Sequence, residues 1–228
     1  MADLSAIIIS KNGSLKIGAT IASLSGWADS VHVFVDFTTT DDTREVASAA
    51  GATVHDIVTP GYVEGALEHA HRVPATRFVL RLDDDERLTL FGDHHKASHR
   101  AQLIASMENH GITHLWFRRR WMLPGDTHFI LTPPWFPDPQ LRLIDVARAT
   151  VTWPARPHDS IQVSGRGAMS PDACIDHLDF CYTSAEARRA KAAGYTANNP
   201  GSAAVEQYYK YEDYRLDICP RKMIPPVK

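Results

Sequence analysis

Four acids in a row, Asp83-Asp84-Asp85-Glu86, follow directly on the apolar run Phe78-Val79-Leu80-Arg81-Leu82. The run reads as a buried strand that delivers carboxylates to a sheet edge. Adjacent negative charges repel, so a compact chain that gathers them where a strand stops calls for a cation there. In extended backbone alternate side chains share a side, which pairs Asp83 with Asp85 as a two-carboxylate clip and turns Asp84 and Glu86 the other way. Carboxylate oxygens suit Mg2+ or Mn2+, and Mg2+ commonly shares its shell with substrate phosphates. A solvated acidic turn is the bland alternative, and what precedes the cluster decides between them.

Upstream, from residue 6 to residue 82, strand-like and helix-like segments alternate at the spacing of consecutive βα units, which implies a parallel sheet. Strands are expected at 6–9, 31–35, 53–57 and 78–82. Helices are expected at 15–27 behind a Ser14 cap, at 42–50 stopped by Gly51, and at 63–71. The acidic cluster then lies at the carboxyl end of a parallel strand, the edge at which open α/β sheets bind ligands. Beyond Asp93 the pattern loosens to a helix at 97–109 and a strand at 113–121. A strand-poor stretch follows, with prolines at 124, 133, 134, 137, 139, 154 and 157 that exclude a long helix. Helices at 185–193 and 203–211 and an extended tail from Cys219 complete the expectation.

A chain of 228 residues with 44% hydrophobic content suits one well-buried domain. A net charge of −3 gives no overall field for nucleic acid or an anionic membrane, although a local basic patch is compatible with it. Cys174, Cys181 and Cys219 match neither a zinc pattern nor a disulfide framework, and read as reduced thiols of a cytoplasmic protein. The first residues lack the basic flank and long apolar run of a signal peptide, and no apolar run approaches a membrane span. A lipid-linked substrate would have to be met peripherally at the inner face of the membrane, through the protein's surface or a partner.

The segments Ile7-Ile8-Ile9-Ser10-Lys11-Asn12, Val35-Asp36-Phe37-Thr38-Thr39-Thr40-Asp41-Asp42-Thr43 and Leu82-Asp83-Asp84-Asp85-Glu86, in this order and spacing, resemble family 2 glycosyltransferases of the GT-A fold. Three later segments extend the likeness, to about residue 195. Residues 135–143, Pro157-His158-Asp159-Ser160-Ile161 and Ile175-Asp176-His177 are similar to a bacterial subgroup that includes lipopolysaccharide core glycosyltransferases. The resemblance implies a GT-A domain over residues 1–215, with a nucleotide-binding half at 1–93, an acceptor-binding half at 94–215 and an extended tail at 216–228. It also implies an inverting, metal-dependent transfer of sugar from a nucleotide-diphosphate sugar, a UDP-sugar first, to an acceptor hydroxyl on a glycan or lipid-linked acceptor. Three departures stand out: Lys11-Asn12-Gly13 where the family favours Asn-Glu, Phe37-Thr38 where it favours an acid followed by Gly, and His158-Asp159 where the subgroup has His-Glu.

Under that resemblance Asp36 accepts a hydrogen bond from the ring N–H of uracil or thymine, and Ser10, Lys11 and Asn12 line the ribose or base side. Asp83 and Asp84 join the nucleotide-sugar site. Asp85 with Asp83 holds Mn2+ or Mg2+ against the diphosphate, with His158 as a third ligand. Thr39, Asp41 and Thr43 hold the turn. Asp159, beside His158 and after a proline, is the first choice of base, and Asp138 the second. Arg142 reaches the donor phosphates or anchors its loop. Arg118 and Arg120 share one strand face and can clamp phosphate or an acidic acceptor, with Arg119 on the other face. Trp135 and Phe136, in a proline-rich loop, are the acceptor platform, while Trp116 belongs to the core. His94, His95 and His99 read as a solvated helix start, not a zinc site. A nucleotidyltransferase or phosphohydrolase is the rival enzyme reading, weakened because Lys11-Asn12-Gly13-Ser14 is too short to cradle a triphosphate. An inactive nucleotide-sugar-binding module is the third, and a protein or a hydroxylated DNA base stays open as acceptor.

Overall fold

The computed structural model describes residues 3–59, 62–90, 96–156, 159–198 and 207–223. Its spine is an eight-stranded sheet. Strand β1 (Leu4–Ser10) lies between β2 (Ser30–Asp36) and β4 (Phe78–Asp83), with β3 (Thr53–Ile57) at one edge. Beyond β4 come β8 (Asp138–Asp145), β6 (Ile112–Trp121), β11 (Arg166–His177) and, at the far edge, β5 (Glu86–Leu90). Strands β1 to β4 are mutually parallel, β8 runs against β4 and β6, β11 runs with β6, and β5 runs against β11. The fold is therefore α/β with a mostly parallel central sheet flanked by helices, as expected.

The run Leu-Ser-Ala-Ile-Ile-Ile-Ser is buried at every position because β1 is covered on both faces. Period-two alternation sorts its neighbours. Ala6, Ile8, Val33, Val35, Leu80 and Leu82 pack toward α1 (Ile17–Ser23) and α4 (Lys96–His110), while Ile7, Ile9, Phe34 and Val79 pack toward α3 (Leu67–Arg72). Helix α2 (Thr43–Ala49) joins β2 to β3, and Gly51, at φ +87°, supplies the left-handed residue that ends it.

The first helix is shorter than its apolar spacing suggests. Leu15 is 88% exposed, and Ser14 does not cap: its backbone N–H donates to Asp41 Oδ2 at 3.0 Å. The second half is not strand-poor. Pro139 is the second residue of β8, and Pro171 lies where β11 shifts register between Met169 and Cys174, so prolines sit at a strand start and an irregularity, where an N–H is expendable. Short strands β9 (Val151–Thr152) and β10 (Gln162–Val163) pair with each other, and β12 (Ile218–Pro220), within the expected tail, pairs with β7 (His128–Ile130). Helices α5 (Asp179–Tyr182) and α6 (Ala185–Asn198) follow β11. Of the helix expected at 203–211, residues 203–206 lie outside the described residues. Cys174 and Cys219 are buried and Cys181 is exposed, all three as free thiols. Among the described residues no helix is long and apolar enough to cross a membrane.

Candidate functional site

The carboxyl ends of β1, β2 and β4 stand side by side, in a register that sets Ile9 beside Asp83 and Ser10 beside Val35. The ends of β1 and β4 border a cleft of about 530 Å3 whose lining includes Lys11, Lys16, Arg81, Asp83, Asp84 and Asp85. Trp116, Arg119, Trp121, Asp138, Asp159, His177 and Tyr208 also line it.

The acidic run breaks its strand geometry after Asp83, because Asp84 and Asp85 form the two-residue turn that sends the chain from β4 to β5. The alternation that would place Asp83 and Asp85 on one face is thereby lost, and each acid has its own partners. Asp84 is buried: Ser10 Oγ donates to its Oδ2 at 2.6 Å, Lys16 Nζ lies 2.7 Å from its Oδ1, and Thr20 Oγ1 donates to its carbonyl at 2.7 Å. Gly13 makes this possible, since a Cβ there would collide with Ser10 Oγ and Asp84 Oδ2. Asp85 Oδ1 lies 3.5 Å from His177 Nε2, Asp85 Oδ2 lies 3.9 Å from Lys16 Nζ, and the Asp85 carbonyl accepts from Leu178 N–H at 2.9 Å. Asp83 Oδ2 meets Arg142 Nη2 at 2.7 Å, and its Oδ1 lies 3.7 Å from Arg81.

Beneath the turn, Glu86 is fully buried and takes Arg142 through Nη2 at 2.6 Å and Nε at 3.1 Å, Arg119 at 3.4 Å, and the Asp83 N–H at 3.0 Å. Arg142 thus anchors the turn, held by Glu86, and does not line the cleft. Although burial works against its charge, Lys16 is held above its ordinary pKa by Asp85 and Asp84. Burial, reinforced by the Arg119 charge, keeps His177 well below the ordinary histidine range and therefore neutral.

Among the described residues no group of three or more His, Cys, Asp or Glu side chains is gathered as a finished metal cage. Asp85 and His177 nevertheless form a matched pair: a carboxylate facing a neutral imidazole whose Nδ1 has no partner among the described residues. That donor set fits a divalent cation completing its shell with substrate phosphate and water. His158, expected as the third ligand, lies outside the described residues, as do His94 and His95. His99 is buried, edge-on to Trp27 at 5.6 Å, so it is no solvated face.

Asp36 differs from expectation. Its Oδ1 accepts Thr38 N–H at 2.9 Å and the Thr38 hydroxyl, and its Oδ2 accepts Thr59 N–H at 3.1 Å and the Thr59 hydroxyl. These bonds outweigh burial and depress its pKa, and they fill the carboxylate's acceptor sites. A base N–H would have to displace a threonine hydroxyl. Lys11 Nζ stands 4.0 Å away, and Asn12 accepts from Thr40 N–H at 2.9 Å, bracing the loop from a left-handed φ of 51°. Asp41, bonded to Thr43 and Ser14, holds the turn as expected, and those bonds, against burial, bring its pKa to about 2.

On the acceptor side the assignments shift by one strand position. Arg120 is fully buried against Asp176, with Nε 2.7 Å from Oδ1, and Arg118 is directed at the Ser170 carbonyl. Of the three arginines of β6, Arg118 and Arg120 do not line the cleft and Arg119 does. Its cross-strand partner is Asp138, 2.7 Å away, which also accepts from Trp121 Nε1 at 2.8 Å and Gln140 at 2.8 Å. Asp138 is thus committed to three donors. Asp159, half-buried at the cleft wall, pairs with Arg156 at 3.1 Å. Trp135 is fully buried, donating to the Tyr208 carbonyl at 3.0 Å, and Phe136 packs on Phe129, so neither is a platform. Trp116, expected in the core, and Tyr208 reach the cleft instead.

Lys16, Glu86, Arg119 and Tyr208 were not foreseen as site residues. For Arg119 the signal is strand alternation, which sets it on the face opposite Arg118 and Arg120. His177 lay in a quoted motif, and only the β5–β11 pairing of Glu86 with His177 brings it to the turn.

No protein-family model matches the chain. An uncharacterised glycosyltransferase of Rickettsia prowazekii (strain Madrid E), RP128, is 40% identical over 91 residues, which are 39% of this chain and 30% of that protein. An uncharacterised glycosyltransferase of Rickettsia felis is 38% identical over 91 residues, 39% of this chain and 31% of that protein. The chain thus spans less than a third of the length of these curated relatives. Glucosyl-3-phosphoglycerate synthase of Mycobacterium tuberculosis, solved with Mn2+, uridine diphosphate and glucosyl-3-phosphoglycerate, overlays on 54% of this chain and 45% of its own. The overlay has a TM-score of 0.40 and 20% identity, an overlap too partial to carry an assignment.

Proposed function

We propose that this chain is a metal-dependent glycosyltransferase of GT-A type that moves a sugar from a nucleoside-diphosphate sugar, UDP-linked in the first instance, to an acceptor hydroxyl. The observation that carries the reading is the acidic turn at the carboxyl ends of parallel strands, opening into one cleft with Asp85 facing a neutral His177. The partial likeness to rickettsial glycosyltransferases supports it.

In this reading Asp85 and His177 would hold Mn2+ or Mg2+, whose charge would offset that developing on a leaving diphosphate. Lys11, beside Asp36, marks the nucleotide end. Asp159 takes the acceptor proton in an inverting displacement, because Asp138 is tied to Arg119, Trp121 and Gln140. Trp116 and Tyr208, which line the cleft, are the aromatic residues that would meet a sugar acceptor, of the glycan or lipid-linked kind that builds surface polysaccharide or lipopolysaccharide.

Calorimetric titration with UDP, GDP, dTDP and CDP, each with Mn2+ and with EDTA, is the test. UDP binding that disappears in EDTA and in Asp85→Ala is the expected result; binding of no diphosphate under either condition would overturn it. Asp159→Asn should retain UDP affinity and lose transfer by about 100-fold or more, the usual scale of a general base. Surviving transfer would return the role to Asp138.

A further inference from the structure

Each acid of the turn has a cationic neighbour belonging to the chain itself, and these neighbours are of two kinds. Arg142 is fully buried and clamped by Glu86, and Arg119 is fixed by Asp138, so both are part of the frame. Lys16 is different. It stands just before α1, lines the cleft, and carries a side chain 23% exposed, with Nζ 2.7 Å from Asp84 and 3.9 Å from Asp85. An ammonium is a compact charge on a flexible stem, able to leave a carboxylate without moving backbone.

We propose that Lys16 is a built-in counter-cation: it holds the positive seat beside Asp85 in the absence of a divalent ion, yields that seat when the ion binds, and then turns into the cleft to pair with the nucleotide's diphosphate. The inference rests on the metal-dependent reading above. Three observations carry it. The ammonium lies within reach of the same carboxylate that His177 faces, so an added divalent charge at Asp85 would be strongly repelled by Lys16 in its present position. The turn does not need Lys16 to keep its shape, because Ser10 and Thr20 hold Asp84 and Leu178 holds Asp85. Finally, the lysine already borders the cleft that a diphosphate would enter, so its exchange of partners is a side-chain movement.

The test is Mn2+ affinity of the full chain without nucleotide, read from the electron paramagnetic resonance of free Mn2+, for wild type, Lys16→Gln and Lys16→Arg. Lys16→Gln should bind Mn2+ about tenfold more tightly, Lys16→Arg should not, and at saturating Mn2+ Lys16→Gln should bind UDP about tenfold more weakly. Removing the counter-charge leaves Asp84 and Asp85 opposed, so the variant should melt below wild type in EDTA and regain more of its melting temperature on Mn2+ addition. Unchanged or weaker Mn2+ binding in Lys16→Gln overturns the counter-cation role, and unchanged UDP binding overturns the diphosphate role. UDP binding by wild type that ignores EDTA would sink the metal-dependent reading and this inference together, whereas EDTA-sensitive UDP binding with no gain of Mn2+ affinity in Lys16→Gln would sink this inference alone.

Discussion

Glu86 never reaches the cleft, yet it decides the shape of the turn that does. Its carboxylate joins Arg142 and Arg119 to the Asp83 backbone in a space closed to water. Glu86→Ala would strand a buried guanidinium, and chemical denaturation should show a loss of about 3–5 kcal/mol. Gly13→Ala has a different cause, a methyl group forced against Ser10 Oγ and Asp84 Oδ2. Its expected cost is about 1–3 kcal/mol, with UDP affinity falling because Asp84 is pushed out of register. A Gly13→Ala variant as stable as wild type would show that the loop yields easily. At this scale the sequence was informative about which acids lie in the cleft and poor on what they face. Asp36 illustrates why: strand position placed it at the right edge, but Thr59, which fills half its acceptor sites, comes from beyond β3.

At the scale of elements, β1 to β4 were legible because continuous apolar runs bounded by turn residues leave little choice of structure. The strands β8 and β11 were not, since their prolines argue against strands and only the register shows them lying at a strand start and an irregularity. Loss of the alternating pattern at Asp84, which undid the pairing of Asp83 with Asp85, came from a turn without Gly, Pro or Asn to announce it. Helix α3 offers a test of its own through His71, which is buried, with Nδ1 2.8 Å from the Leu67 carbonyl and its ring against Trp153 at 4.7 Å. Burial lowers its pKa from 6.5 to about 4. As pH falls below 6.5 the unfolded chain takes up a proton that the folded chain refuses, so stability declines until about pH 4, by an amount on the order of 3 kcal/mol. Urea unfolding at pH 7 and pH 5 should show this decline in wild type and a smaller one in His71→Gln. An equal decline in both would place the pH sensitivity elsewhere.

For the whole molecule, the small β7–β12 sheet closes the structure behind the acceptor side. Cys219 packs with Met122, Phe129 and Leu178, Arg221 Nε reaches Asp176 at 2.6 Å, and the Arg221 carbonyl accepts from Arg120 at 2.8 Å. Truncation after Asp217 should therefore lower the melting temperature by about 5–10 °C, at roughly 2–4 °C per kcal/mol for a chain of this size. An unchanged melting temperature would mean that β12 contributes no stability. The turn itself is shared between two distant parts of the chain: Asp84 is bonded to Ser10 and Thr20, and Asp85 to the end of β11. These contacts span long stretches of sequence, 74 residues for Ser10 and Asp84, and contacts of that kind form slowly and late in folding. During synthesis β1 to β4 emerge well before β11, so until β11 is made and docks Asp85 lacks the histidine it faces in the folded protein. On the proposed metal-dependent reading, the pair that would hold the cation is complete only once β11 docks, and a fragment ending at Leu90 should bind no Mn2+.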